Sequence, residues 1–445
     1  GKILERAYWV PEFKTDSKID FETAKTRVRE LVTKAVERRM VADVPVGNYL
    51  SGGLDSTLVC ALMSQRTSKL KSFNVGFGGT IYDESVLAGK IAGHFGANFE
   101  TFDCHNALMA ENLTATLRHM EKPIANSNSV GKFLLSRLVN SQGYKVVLTG
   151  EGADEIFGGY PFFKLEKIWR LKDKRKQKEL WKRFQQMEAR SEGFLWQKGN
   201  RWKSVPPIFG YSNVQHVRID ESSDYVDEML HPRIWLESKY RTPAEYLELE
   251  PRPIDPRTLD PFNASRYLSF PVLSCYIIPT LGDRGEMAHS VEGRTPFLDR
   301  DLVKFALTVP PEHFMDIDRL REKHLLREAF ADLLPDFTRK EHKHPFSTAN
   351  WYFLFQTPAG RELFHDYLSW ENVKRTEIFQ PEFVRLMKII WKAVPRSAPL
   401  WRKIDASLGI FITTLILYRE LILNSQPRRP VKIVDRTWKN DMKRA

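Results

Sequence analysis

The sequence predicts an α/β protein with a doubly wound, mainly parallel sheet and helical additions in its C-terminal half. Three short apolar runs, at 44–50, 70–75 and 145–148, are typical of buried strands, and segments with helical spacing separate them. Strands that alternate with helices form parallel sheets, because each helix returns the chain to the same end of the sheet. Glycine-containing polar loops follow the first and third runs, and ligands bind beyond the carboxyl ends of such strands.

The predicted helices are recognised by their apolar faces. The segment 21–39 repeats apolar residues every three or four positions, from Ala24 to Val36, and is charged elsewhere. The segments 54–64 and 84–95 are the next two predicted helices. Each of them follows or precedes a predicted strand, as a doubly wound sheet requires.

We divide the chain into five parts along its length. They are a linker at 1–20, a core at 21–160, a basic helical insertion at 161–260, a helical part at 261–425 and a basic tail at 426–445. The insertion opens with a strongly basic run, 164–203. A solvated helical face is the expected role of this run, and a nucleic-acid-binding patch is the alternative.

The composition is that of an ordinary globular protein and excludes several classes. Of the 445 residues, 42% are apolar and 28% are charged, which excludes a disordered or collagen-like chain. Cys60, Cys104 and Cys275 are far apart, and no Cys-x-x-Cys pair is present. This argues against structural zinc, an iron–sulfur cluster and a disulfide framework, and we expect a cytoplasmic protein.

Charge and hydropathy limit the expected partners. The net charge of +12 fits an anionic ligand or a nucleic acid. The longest apolar stretch, 407–418, is shorter than the roughly 20 residues that a membrane-spanning helix needs. Charges interrupt the apolar residues at the N-terminus, so no signal peptide and no membrane span are expected.

The strongest motif is SGGLDS, which directly follows the first predicted strand. Gly52 and Gly53 allow a tight turn that brings several backbone N–H groups close to an anion. Ser51 and Ser56 add hydroxyl donors, and the N-terminus of the next helix adds partial positive charge. Asp55 would repel a phosphate unless a cation lay between them, so the motif predicts a phosphate site with Mg²⁺.

The second motif, LTGEGADEIFGGY, begins at the end of the third predicted strand. Glu151, Asp154 and Glu155 lie within five positions, and such a cluster is costly without a metal or a cationic reactant. Because the carboxyl ends of parallel strands meet at one edge of the sheet, we expect Asp55 and Asp154 to share one Mg²⁺.

Two further motifs lie in the C-terminal half. The segment 281–299, LGDRGEMAHSVEGRTPFLD, mixes charged and apolar residues without a simple period, which is typical of a buried polar network around a pocket. Its candidate substrate-binding residues are Arg284, Glu286 and Glu292. The basic segment 339–347, RKEHKHPFS, offers a lysine that would neutralise negative charge at the phosphate site.

In this order and spacing, the four motifs resemble the synthetase domain of the asparagine synthetase family over nearly the whole chain. SGGLDS is similar to the pyrophosphate loop (PP-loop) of the ATP pyrophosphatases, which split ATP between its α and β phosphates. GEGADEIFGGY and DRGEMAHSVEGRTPFLD narrow the resemblance, and YWVPEF resembles the segment that leads into the domain. The resemblance implies an adenine nucleotide alpha-hydrolase-like fold that binds ATP and Mg²⁺.

The resemblance also implies roles for individual positions. Glu151 matches the glutamate with which the family forms its acyl-adenylate and handles the incoming amine. Lys343 best matches the catalytic lysine that precedes Phe-Ser, and Lys340 is the competing register. The positions that match the adenosine site are Leu50, Val75, Thr149 and Gly150.

The implied activity is AMP-forming, ATP-dependent amide synthesis, in which a carboxylate is adenylated and then transferred to ammonia or an amine. Aspartate is the default substrate, and a natural-product or surface-polymer amide synthetase acting on another acid is the alternative. Remote alternatives are a tRNA-modifying PP-loop enzyme and an inactive regulatory subunit. No nucleic acid is expected as a partner, and the sequence leaves open whether the chain forms a homo-oligomer.

The sequence departs from the family in three ways. Family members usually begin with a glutaminase domain, but only about 50 residues precede the PP-loop, so that domain is expected to be cleaved, separate or absent. Glu286 stands where the family commonly has serine (DRxSMA), and its carboxylate would repel aspartate. The basic insertion is not expected of a minimal asparagine synthetase. Glu151 itself argues against β-lactam formation, since lactam-forming relatives have tyrosine there.

Overall fold

A five-stranded parallel sheet is the centre of the fold in the computed structural model, which describes residues 9–78, 83–124, 126–190, 253–339 and 350–424. The strands are β1 (Val46–Tyr49), β2 (Lys71–Gly76), β3 (Asn98–Asp103), β4 (Val146–Leu148) and β5 (Glu292–Arg294). Their order is β3-β2-β1-β4-β5, and every neighbouring pair is parallel. The predicted doubly wound parallel sheet is therefore confirmed.

Two strands were not predicted from the sequence. β3 has the polar sequence NFETFD and lies at an edge of the sheet, so no apolar run marks it. β5 has only three residues, EGR, and pairs with β4 through Val147 and Gly293. The predicted core at 21–160 therefore lacks one strand, which the predicted helical part at 261–425 supplies.

Helices cover both faces of the sheet. In chain order they are α1 (Phe21–Met40), α2 (Leu54–Ser64), α3 (Ser85–His94), α4 (Asn106–Met120), α5 (Asn128–Ser141), α6 (Ala153–Phe157), α7 (Pro161–Arg170), α8 (Lys174–Arg190), α9 (Pro261–Val272), α10 (Arg284–Met287), α11 (Arg300–Ala306), α12 (His324–Ala329), α13 (Asp336–Arg339), α14 (Trp351–Phe355), α15 (Pro358–Tyr367), α16 (Trp370–Thr376), α17 (Pro381–Ala393) and α18 (Pro399–Leu417). The helices predicted at 21–39, 54–64 and 84–95 are α1, α2 and α3, and these predictions are confirmed.

The first helical layer is organised around α1. The Asp20 side chain caps α1 by accepting a hydrogen bond from the Thr23 amide at 2.7 Å, which satisfies an N-terminal N–H group. Val28 and Val32 on its inner face are fully buried. This face packs against α2, α11 and α12, so residues far apart in sequence share one apolar core with the sheet.

The second layer combines α4 and α5 with the C-terminal helices. Phe73 of β2 and Val147 of β4 share its apolar core with Leu408 and Phe411 of α18. The stretch Ile404–Leu423 is long and apolar enough to cross a membrane by length and composition, and 50% of that window is buried within the structure. A core helix meets the same criteria.

The chain between α9 and α10 is a π-helical segment, Leu273–Asp283. Pro279 lies inside it and lacks the amide N–H that a regular helix would use. Such segments are often found at functional sites. Here the segment packs against α5 and β5, and an added Cβ at Gly282 would lie 3.6 Å from Glu151 Oε2 in the loop after β4.

The basic run at 164–203 has both a buried and a solvated part. On α8, the basic residues Lys174 and Lys178 are exposed, whereas Leu180 and Phe184 are buried in the core, as a solvated face predicts. Lys164 of α7 differs from the prediction, because it is 4% exposed. Residues 191–203 of the run and the predicted tail at 426–445 lie outside the described residues.

The turn between β4 and α6 generates a first prediction. Gly152 has a φ of +89°, and an added Cβ there would overlap the Leu298 side chain. We expect Gly152→Ala to lower the free energy of unfolding by about 2 kcal/mol or more, because backbone strain and steric overlap act together. Urea unfolding followed by circular dichroism measures this change.

Gly93→Ala is the matched control. Gly93 lies in α3, and a Cβ added there would have no neighbouring atom within 4 Å. Alanine is the better helix former there, so the variant should be as stable as the parent or more stable by up to about 1 kcal/mol. Equal stability losses in the two variants would contradict the assigned role of the turn.

Candidate active site

Two loops meet at the point where the strand order of the sheet reverses. β1 lies between β2 and β4, so the loops after β1 and β4 border a crevice of the kind in which doubly wound sheets bind ligands. An added Cβ at Gly150 would lie 2.8 Å from Asp55 Cβ and 3.0 Å from Ser56 N. The two loops are therefore in contact, and only glycine fits at this position.

The loop after β1 is stabilised by hydrogen bonds of its own serine side chains. The Ser51 and Ser56 hydroxyl groups are 2.9 Å apart, and the Gly53 amide donates to Ser51 Oγ at 3.2 Å. α2 begins at the next residue without a side-chain cap. The Gly52 amide donates to a carboxylate oxygen of Glu84 at 3.4 Å, so an anionic oxygen already binds to this loop.

The residues assigned to the adenosine lie at neighbouring strand ends. Leu50 and Val75 are buried at the carboxyl ends of β1 and β2, 1% and 6% exposed. Asn74 joins these strand ends by donating to the Leu50 carbonyl at 2.7 Å. Thr149 is buried after β4, and its amide donates to the Arg294 carbonyl of β5 at 2.8 Å.

A buried lysine lies between the two aspartates that were predicted to share a metal. Lys323 Nζ is 2.5 Å from Asp55 Oδ2 and 2.7 Å from Asp154 Oδ1, and the lysine is 2% exposed. Burial alone would lower the pKa of Lys323, but the charges of Asp154 and Asp55 outweigh it and raise the pKa. The structure thus brings the two aspartates together around an ammonium group.

The surroundings of Lys323 fix its position. It has a φ of +54° at the start of α12, and the preceding Glu322 is buried and paired with Lys164 at 2.7 Å and with Arg327 at 3.0 Å. An added Cβ at Gly159 would overlap both the Lys323 side chain and the Asp154 carboxylate. The glycine therefore leaves the space through which the lysine reaches the aspartates.

Asp55 also has free capacity for a metal ion. Asp55 Oδ1 is buried and has no hydrogen-bond partner in the described part of the chain. Mg²⁺ in nucleotide sites is held by one or two carboxylates together with phosphate oxygens. Among the described residues, no group of three or more His, Cys, Asp or Glu residues could hold a metal, so phosphate oxygens would have to complete the site.

Glu151 lies in a second buried charge cluster. Lys132 of α5 donates to Glu151 Oε1, and the same ammonium is 3.1 Å from Glu286 Oε1 of α10. The Thr149 hydroxyl donates to Glu151 Oε2 at 3.2 Å. Burial raises the pKa of Glu286, with Lys132 acting against this shift and Glu151 adding to it.

The acidic residues of the second motif therefore have separate partners. Glu151 pairs with Lys132, Asp154 pairs with Lys323, and Glu155 accepts a hydrogen bond from the Tyr160 hydroxyl at 2.5 Å. The sequence indicated that a metal or a cationic reactant would have to compensate this cluster. Two lysines of the chain supply positive charge instead, and sequence reasoning missed both.

The remaining predicted residues lie elsewhere in the fold or outside its described part. Arg284 donates to the Met120 carbonyl at 2.6 Å, and its guanidinium is 3.2 Å from the Glu121 carboxylate. Glu292 is exposed on β5 and pairs with Arg294 at 2.9 Å. Of the three candidate substrate residues, Glu286 is the one that the structure places next to Glu151, through their shared partner Lys132. The predicted Lys343 and its alternative, Lys340, lie outside the described residues.

Comparison with known proteins gives one family and several relatives. The asparagine synthase family matches residues 27–403. The chain is 29% identical to "Amidase chyE" of Penicillium rubens and 30% identical to "Amidase chry2" of Gibberella zeae, in each case over 69% of this chain and 50% of the relative. It is 26% identical to "Asparagine synthetase [glutamine-hydrolyzing] 1" of Bacillus subtilis, over 76% of this chain and 53% of the relative. The chain spans about half the length of these relatives.

The lysine between the aspartates generates a second prediction. We expect Lys323→Met to lower the free energy of unfolding by about 3–5 kcal/mol, because Asp55 and Asp154 lose the buried positive charge between them. Urea unfolding measures the loss.

Lys176→Met provides a control of equal geometry. Lys176 Nζ also lies 2.5 Å from an aspartate oxygen, that of Asp318, but the two side chains are 41% and 68% exposed. Water screens such a pair, so this variant should unfold at the same urea concentration as the parent. If both variants unfolded like the parent, Lys323 would not be the residue that holds the two loops together.

Proposed function

Because the chain belongs to the asparagine synthase family, we propose that it performs the synthetase reaction of an ATP-dependent amide-forming ligase. A substrate carboxylate is adenylated, and ammonia or an amine then takes the acyl group. One observation carries the proposal: the anion-binding loop at 51–56 touches the loop that bears Glu151, so a phosphate site and a proton acceptor share one crevice.

In the first half-reaction, the substrate carboxylate attacks the α-phosphate of ATP. A bond forms between the carboxylate oxygen and phosphorus, the bond to the β-phosphate oxygen breaks, and pyrophosphate leaves. The amides of the loop at 51–56, the Ser51 and Ser56 hydroxyl groups and the α2 N-terminus are proposed to orient the phosphates. Mg²⁺, held by Asp55 and Asp154, would neutralise phosphate charge when bound. Lys343 is proposed to act on the leaving pyrophosphate.

In the second half-reaction, ammonia or an amine attacks the acyl carbon of the acyl-AMP. The new C–N bond forms, a proton passes from nitrogen to Glu151, and AMP leaves with the electron pair of the broken C–O bond. The open part of the site supports this role, since the Glu151 side chain is 22% exposed while its partner Lys132 is 7% exposed. The nitrogen source is proposed to be ammonia from a glutaminase, or an amine.

The acyl substrate is proposed to be an acid other than aspartate, with aspartate as the alternative. Two relatives that match the chain are named amidases and not asparagine synthetases, which favours another acid. The buried Glu286 shares Lys132 with Glu151 and adds negative charge beside the proposed reaction centre, which disfavours a substrate with a second carboxylate. The reaction is proposed to take place in the cytoplasm.

Pyrophosphate release tests this function directly. The protein is incubated with ATP, Mg²⁺ and concentrated ammonium, and aspartate is compared with glutamate and with aliphatic and aromatic monocarboxylic acids. Release with another acid, together with formation of its amide, is the expected result. Release only with aspartate would select the asparagine synthetase reaction. If no acid caused pyrophosphate release and the protein bound tRNA tightly in a salt-sensitive way, the proposal would be contradicted.

Asp154→Asn generates a third prediction. We expect this variant to lose acid-dependent pyrophosphate release while it keeps the circular dichroism spectrum of the parent, because the amide cannot serve as an anionic metal ligand. The control is Asp301→Asn, whose carboxylate pairs with Arg38 at 3.1 Å and is 44% exposed. Unchanged release by Asp154→Asn would refute the metal assignment.

A further inference from the structure

Lys132 lies at the centre of a buried cluster that joins three elements of the fold. Its ammonium group contacts Glu151 after β4, lies 3.1 Å from Glu286 Oε1 of α10 and lies 5.4 Å from the ring centroid of Tyr49 on β1. The exposed fractions are 7% for the Lys132 side chain and 3% for that of Glu286. One buried cation therefore serves two carboxylates of the site.

A lysine at this place has two chemically reasonable roles. It is able either to bind a carboxylate of the substrate or to hold Glu151. An ammonium group has three N–H donors, and the two carboxylates and the Tyr49 ring surround it here. The Ser136 hydroxyl donates to the Lys132 carbonyl at 2.9 Å and is hydrogen-bonded to the Tyr49 hydroxyl at 3.1 Å. The lysine is thus engaged within the protein, which favours the second role.

Glu286 is confined behind the lysine. An added Cβ at Gly293 of β5 would overlap the Glu286 carboxylate, so the strand backbone closes the space on that side. The carboxylate cannot retreat from Lys132 without moving β5 or α10. The fold therefore holds the Glu286 carboxylate where it partly neutralises the positive charge of Lys132.

We propose that Lys132 is the positioning residue for Glu151 and that Glu286 sets how strongly the lysine charge acts on it. The inference rests on the proposed function, in which Glu151 accepts a proton from the attacking amine. Lys132 fixes one oxygen of Glu151, and the Thr149 hydroxyl fixes the other at 3.2 Å. The positive charge of Lys132 lies against Glu151, and Glu286 competes for that charge because it contacts the same ammonium group.

The charged and titratable groups around the cluster of Glu151, Lys132 and Glu286 come from several elements. They are Lys132 of α5, Glu286 of α10, Asp283 at the end of the π-helical segment and Tyr49 of β1. Burial raises the pKa of Tyr49, and the nearby charges of Glu286 and Glu151 add to the shift. Tyr49 is therefore uncharged at neutral pH, and Lys132 is the cation that contacts the carboxylates.

The pH dependence of amide formation tests the proposal. The acid that gives the fastest pyrophosphate release is the substrate, and hydroxylamine is the nucleophile, because it is largely unprotonated at neutral pH. Rates are expressed per concentration of unprotonated hydroxylamine, so that protonation of the nucleophile does not shape the acidic limb. With Lys132→Met, we expect the acidic limb of the pH profile to move up by about 1–3 pH units and the rate at pH 7 to fall at least about tenfold. With Glu286→Gln, the acidic limb should move down, since the lysine charge is no longer shared.

Opposite shifts in these two variants distinguish positioning from a purely structural role. The double variant Lys132→Met/Glu286→Gln guards against loss of folding, because it removes the buried carboxylate that Lys132→Met leaves without a partner. It should recover urea stability lost by Lys132→Met and should not recover the rate. Profiles that keep the parental midpoint, or that move in the same direction in both single variants, would overturn the inference.

A titration without substrates separates this inference from the proposed function. Carboxyl ¹³C NMR of protein labelled at glutamate follows Glu286, whose signal is assigned by its loss in Glu286→Gln. We expect the pKa of Glu286 to rise further in Lys132→Met and to fall in Glu151→Gln, because the first variant removes a positive charge and the second a negative one.

Failure of the inference and failure of the proposed function then give different results. An unchanged Glu286 titration in both variants would show that the three groups do not share one cation, and would overturn the inference even in an active enzyme. A wild type that releases no pyrophosphate with any acid, but whose Glu286 titration responds as expected, would overturn the proposed function and leave the charge coupling established.

Discussion

The charge balance of the loop after β4 is the constraint on which the rest of the site depends. Glu151 and Asp154 are only three positions apart, and their side chains are mostly buried, 22% and 17% exposed. A buried carboxylate without a partner costs several kcal/mol, so the loop is stable only if cations approach it from other parts of the chain. Lys132 and Lys323 are those cations, and each of them lies buried between two acidic partners.

This balance explains why distant segments converge on the sheet. Lys323 is 268 positions from Asp55 along the chain, yet the two atoms that join them are 2.5 Å apart. Its approach needs the space left by Gly159, and the contact between the two loops needs Gly150. Glycines in the second motif therefore do more than allow the chain to turn. They also allow the two loops to pack closely together and allow Lys323 to reach them. A phosphate-binding crevice at the strand ends is the result.

The sequence predicts the parts of the fold that are determined locally. α1 and β1 have clear periodicity or apolar runs, and the two glycine-rich loops follow their strands as predicted. β5 and the two lysines could not be predicted in the same way. A three-residue strand has no period, and a lysine becomes a core residue only through partners that tertiary structure brings to it. Lys132 does leave a trace in the sequence, since it is the single charged residue of the segment 129–136, which the structure buries.

The expected effect of Glu286 on the substrate changes once its neighbours in the structure are known. Considered alone, a glutamate in place of the family's usual serine adds a free negative charge that would repel an acidic substrate. In the structure its carboxylate is paired with Lys132, and the lysine is paired in turn with Glu151. The added acid, the buried lysine and Glu151 therefore form one unit, in which Glu286 without Lys132 would leave an uncompensated charge in the core. Any change of substrate preference linked to Glu286 should consequently act through the state of Glu151 as well as through direct repulsion of the substrate.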